Sequence, residues 1–159
     1  MQVHHGLWFF LTTLLAALIL AVYPLSPEWS WWRPDWVLLL LVFWVITHPE
    51  LLGIGVAWLL GLFLDVLQGA ALGGNAFAFC VIAYFLVLTY QRLRMYSLLM
   101  QSLVVLGLSL FHLVVVVWVQ NLQGMNYADS RSLLSVLTTA VVWPFLYSVL
   151  FAITRRVVW

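Results

Sequence analysis

Asp65 is the one carboxylate set inside an otherwise unbroken apolar segment, Leu51–Leu67. An ionisable group in such a place costs about 2.5–3.5 kcal/mol on membrane insertion, less near the interface. It therefore needs a donor, either inside its own protein or on a partner or substrate. Arg33, Arg131 and Asn75 are the candidate partners. Small residues recur around it at four-residue spacing: Gly53, Ala57, Gly61, then Gly69 and Gly73 beyond the carboxylate. Positions four apart share a helix face. Such a stripe makes a groove where another helix approaches closely, whether that helix belongs to this chain or to a partner.

Other polar residues suggest less chemistry. His112 lies one helical turn from Ser109, but Gly107-Leu108-Ser109-Leu110 lacks the glycine that follows the serine in Gly-x-Ser-x-Gly hydrolases. No third orienting group is evident. His112 is expected to be a packed, hydrogen-bonded histidine. No zinc-ligand spacing, phosphate-binding loop, dinucleotide fingerprint or pair of intramembrane carboxylates occurs. The expectation is a protein without catalytic, cofactor-binding or metal-binding residues. Trp143-Pro144 falls inside an apolar run, where proline removes one backbone hydrogen bond and kinks a helix.

The elements that must position these residues are long apolar runs. Of 159 residues, 66% are apolar and only 7% charged, with a net charge of +1. Soluble domains carry about 25% charged residues, so this composition excludes a soluble globular domain, a disordered chain and an electrostatic nucleic-acid binder. A single cysteine, Cys80, excludes a disulfide scaffold. A bilayer crossing takes roughly 20 apolar residues. The expected organisation is one all-α domain over 1–159, with six transmembrane helices near 7–23, 33–48, 51–69, 73–90, 98–119 and 133–153. The second run is short. It is expected to extend back to Arg33, which would snorkel among Trp29, Trp31 and Trp32 in the headgroup layer; a re-entrant hairpin is the alternative. The first run lacks a basic leader and is expected to be a retained helix.

Six crossings put both termini on one side. That side collects Arg92, Arg94, Arg155 and Arg156 against Glu50; the other collects Arg33 and Arg131 with Glu28, Asp35 and Asp129. The excess of arginine makes the first side cytoplasmic. Its arginines serve topology, anionic headgroups at about 1 kcal/mol each, or an acidic protein surface.

Several of these features occur together in one known pattern. Arg33-Pro34-Asp35-Trp36-Val37-Leu38-Leu39 leads into the second run. Gly61-x3-Asp65-x3-Gly69, then Leu72-Gly73, closes the third, and Trp143-Pro144-Phe145 lies in the sixth. This ordered set resembles the MreD family of bacterial rod shape-determining proteins over nearly the whole chain. The resemblance implies a multi-pass, non-enzymatic scaffold of the inner membrane. Its fold would be similar to the substrate-binding subunits of vitamin-uptake (ECF-type) transporters. It also implies partners: the single-span protein MreC, the actin-like MreB, and the glycosyltransferase and transpeptidase that extend peptidoglycan. The Gly53/Ala57/Gly61 groove is a candidate seat for the MreC helix. The alternative function is a small-molecule-binding subunit of a membrane transporter, with Asp65, Asn75, Arg33 and Arg131 around a shallow outer pocket.

Overall fold

The computed structural model describes residues 2–125 and 129–157, with side chains from 6 onward and as far as 156. Seven helices are present and no strand occurs among the described residues: α1 (Gln2–Val22), α2 (Pro27–Ser30), α3 (Trp36–Thr47), α4 (Ile54–Gln68), α5 (Gly74–Met95), α6 (Leu98–Leu122) and α7 (Ser132–Val157). The described parts of α5, α6 and α7 are long and apolar enough to cross a membrane, whereas Gly6–Val22, α3 and α4 are shorter apolar helices. α2 is a single turn.

The second run departs most from expectation. Its helix starts at Trp36, not Arg33, because Pro34 and the Asp35 cap fix the start: Asp35 Oδ1 accepts from the Leu38 amide at 3.2 Å. At 1.5 Å per residue, twelve residues give a helix of about 18 Å. Every residue from Val37 to Ile46 is buried. A helix that is apolar all round belongs in a core, and α3 has that place, with α1, α5, α6 and α7 packed around it. Trp44 anchors it. The indole is fully buried, meets the Phe9, Phe10 and Phe43 rings edge-on, and donates from Nε1 to Thr13 Oγ1 at 3.1 Å.

α4 lies against α5, and α6 against α7. α7 continues as one helix through Pro144. The outer surface is apolar: Trp8, Leu11, Leu15 and Ile19 on α1, and Val141 and Phe145 on α7, are exposed. Soluble monomers seldom leave apolar surface this extensive uncovered. Most inter-helix polar contacts lie around the start of α5 and around its end, with the Trp44–Thr13 bond between them.

Candidate functional site

Gly69 ends α4 in the left-handed conformation (φ 60°), and Gly73 enters α5 at φ 101°, a backbone region that suits glycine. The connection folds the first turn of α5 onto the last turns of α4. Gly61 makes the close approach possible: a Cβ there would lie 2.3 Å from Ala76 Cα and 2.5 Å from Ala76 N. One turn further on, Asp65 faces the start of α5 and is 1% exposed.

A helix begins with amides that have no partner inside the helix. Asp65 takes those of α5. Its Oδ2 accepts from Gly73 N at 2.9 Å and Ala76 N at 3.5 Å. Its Oδ1 accepts from Asn75 N at 3.2 Å and Asn75 Nδ2 at 2.9 Å. A carboxylate at a helix N-terminus also complements the macrodipole. Asp65 therefore caps a helix other than its own and fastens α4 to α5. Of the three candidate partners, Asn75 is the one in contact with it. Arg33 and Arg131 are not: the Arg33 guanidinium donates to the Leu20 carbonyl, and Arg131 lies 5.9 Å over the Trp31 ring.

Asn75 carries the network onward. Its Oδ1 lies 2.7 Å from His112 Nε2, and His112 Nδ1 lies 2.7 Å from Asp35 Oδ2. Asp65 fixes the Asn75 amide, because the opposite orientation would set oxygen against oxygen. Both His112 nitrogens are thus engaged, one by the Asn75 carbonyl and one by the Asp35 carboxylate. Phe79 stacks on it at 4.9 Å. Asp35 N donates to Thr139 Oγ1 at 3.0 Å, and Ser135 Oγ to the Arg33 carbonyl at 2.6 Å. One polar line thus joins α4, α5, α6, the start of α3 and α7. Replacing His112 with Leu is expected to cost about 1–3 kcal/mol, because it leaves the Asp35 carboxylate and the Asn75 carbonyl short of a donor. The thermal midpoint of the detergent-solubilised variant measures this; an unchanged midpoint would show the line to be idle.

At the opposite end, the free carbonyls of α3 are taken by Arg94. Its Nη2 donates to Ile46 O at 2.8 Å and Thr47 O at 2.9 Å, and its Nε to Ile46 O at 3.2 Å. The buried Gln101 donates from Nε2 to Leu93 O at 2.9 Å and accepts from Trp143 Nε1 at 3.3 Å. Arg94 is thus engaged with α3, while Arg92, Arg155 and Arg156 are exposed at the same end. Arg94→Lys keeps the charge but loses the fork that spans two carbonyls. It is expected to lower the midpoint by the equivalent of about 1 kcal/mol or less, since the site is exposed. Arg92→Lys, measured alongside, is expected to change nothing.

The small-residue stripe is not one open face. Ala57 and Gly61 are buried, Gly53 caps the start of α4, and Gly69 and Gly73 form the turn into α5. Where Gly61 lies, the groove offered to a partner helix is filled by this chain's own α5. Sequence reasoning missed Asp35 as a member of the network, although its place three residues before Leu38 and beside Pro34 is a cap signal. It also missed Gln101, for which no signal stands out. Among the described residues no cluster of His, Cys, Asp or Glu is arranged to hold a metal ion.

The sequence model of a family described as rod shape-determining protein MreD matches residues 2–153. The rod shape-determining protein MreD of Haemophilus influenzae is 27% identical over 151 residues, covering 94% of this chain and 93% of that protein. No solved structure matches the chain.

Proposed function

Because the chain belongs to the MreD family of rod shape-determining proteins, we propose that it is a non-enzymatic, six-crossing scaffold of the bacterial inner membrane. It binds an MreC-like single-span protein and links MreB to the elongation-specific glycosyltransferase and transpeptidase. In this reading α1, α3, α4, α5, α6 and α7 are the six crossings, in an arrangement similar to ECF-type substrate-binding subunits. Both termini lie in the cytoplasm, beside the exposed Arg92, Arg155 and Arg156.

The observation that supports it best is how the polar groups are used. Asp65, Asn75, His112, Asp35, Arg94 and Gln101 bond to one another or to backbone. The exposed faces of α1, α6 and α7 carry mostly apolar side chains. A protein built this way presents rigid helix faces to lipid and to partner helices, and packing against such faces is how membrane helices associate. With α5 on Gly61, a partner helix has to use an outer face of the bundle. The test is affinity purification of the tagged chain from detergent-solubilised membranes of its own host. A single-span partner in stoichiometric amount, together with rounding of rod-shaped cells on depletion, is the expected result. Recovery of the chain alone, with normal cell shape on depletion, would contradict the scaffold reading.

A further inference from the structure

We propose that a cavity at the Asp65 end of the bundle, lined by apolar side chains and several polar groups, binds a small oxyanion group, a carboxylate or a phosphate. The cavity measures about 240 Å³ and is bounded by Arg33, Asp35, Gln68, Ser109 and His112 among others. At about 30 Å³ per water, that is room for roughly eight waters or a small polar molecule.

The chemistry of its occupant follows from which lining atoms are already committed. The lining acceptors each already hold a donor: Asp35 Oδ1 takes the Leu38 amide, Asp35 Oδ2 lies against His112, and Gln68 Oε1 takes Asn75 Nδ2 at 3.4 Å. Both His112 nitrogens are engaged, with Asn75 and Asp35. Donors remain. Arg33 gives only Nη2 to the protein, to Leu20, and the amide nitrogen of Gln68 has no protein acceptor among the described residues. Ser109 adds a second, independent indication. It is 3% exposed, it lines the cavity, and its hydroxyl has no protein partner among the described residues. Most other serines and threonines within these helices return their hydroxyl to a carbonyl one turn back, as Ser102 does to Leu98 and Thr138 to Leu134, and Ser135 gives its own to Arg33 O. Asp65 is spent on α5, and the Arg33 guanidinium, with Asp35 beside it, brings positive charge to the cavity. A buried hydroxyl beside a guanidinium and a carboxamide suits an oxygen-rich anion. The proposal is independent of the scaffold reading, since a scaffold and a transporter subunit could each use such a site.

The test uses the full-length protein in dodecyl maltoside, as wild type, Ser109→Ala and Arg33→Gln. Thermal midpoints are measured against inorganic phosphate, with chloride at equal ionic strength as reference. They are measured again in micelles doped with dioleoyl phosphatidylglycerol or with phosphate-free dioleoylglycerol. Site binding predicts a phosphate-dependent rise in wild type, with an apparent affinity roughly tenfold weaker in each variant, the loss expected for one hydrogen bond to a charged group. Non-specific salting would act equally on all three proteins. A rise with inorganic phosphate identifies a soluble oxyanion as occupant. A rise with phosphatidylglycerol alone identifies a lipid headgroup. Ser109→Ala retains a good helix former and decides the matter if Arg33→Gln fails to fold. If neither probe stabilises the wild type more than Ser109→Ala, the cavity is not an oxyanion site.

Discussion

Gly61→Ala is expected to prevent stable folding, with little protein accumulating in the membrane and a midpoint far below wild type in whatever is recovered. The added methyl would sit 2.3 Å from Ala76 Cα and 2.5 Å from Ala76 N. Carbon atoms rest at about 3.5–4.0 Å. Both obstructing atoms are backbone, so no rotamer change relieves the clash and α4 must move from α5 by roughly 1 Å. That movement carries Asp65 with it. The bonds to Gly73 N at 2.9 Å and Asn75 N at 3.2 Å would lengthen beyond useful range, so the packing cost and the loss of the cap arrive together. Overpacking alone costs about 1–3 kcal/mol. With buried donors released as well, the sum is expected to exceed about 3 kcal/mol. Gly55→Ala is the control on the same helix: nothing lies within 4 Å of its Cβ position. Alanine favours helix over glycine by about 1 kcal/mol, so this variant should accumulate at least as well as wild type. Wild-type accumulation and midpoint in Gly61→Ala would mean that α4 and α5 do not touch at this point.

The contrast between these two glycines shows where the sequence stops being informative. Both sit in the same apolar run, and the four-residue stripe correctly singles out Gly61 over Gly55. It does not say which helix fills the gap, because spacing records a face and not its neighbour. Asp65 stands out for a similar reason: a lone charge in an apolar run must have a partner. Among charged residues on the same side, the sequence offers Arg33 and Arg131 as partners. The donors are mainly backbone amides at the start of α5, and a backbone amide leaves no mark in a sequence. Asn75 was legible because it is polar and stands at a helix start. Arg94 illustrates the converse. An arginine at the end of a span reads as a topology signal whether its head reaches water, a phosphate or the carbonyls of a neighbouring helix. α3 was legible as apolar but not as central, since a run without a polar face matches a lipid-facing helix and a fully enclosed one equally well. The apolar pattern marks the long helical runs but not the single turn α2 or the later start of α3, and adjacency comes only with the fold.

Asp65→Ala tests the other half of the same junction. The substitution removes acceptors for Gly73 N, Ala76 N, Asn75 N and Asn75 Nδ2, all beside a residue that is 1% exposed. A buried donor without a partner costs about 1–3 kcal/mol. Water entry and relaxation recover part of this, so the net loss is expected near 3–5 kcal/mol, as for breaking other buried charge contacts. Asp65→Asn should fall between. Its single oxygen can serve one pair of donors, but its amide nitrogen then faces the other pair, and the charge that complements the α5 dipole is gone. The ordering wild type, Asn, Ala in thermal midpoint is therefore the signature of a cap. A partner-binding carboxylate would behave differently: Asp65→Ala would keep the wild-type midpoint and accumulation while the co-purified single-span protein disappeared. Measuring midpoint and partner yield on the same preparation separates the two roles. The geometry favours the first, because four donors at the start of α5 already occupy this carboxylate.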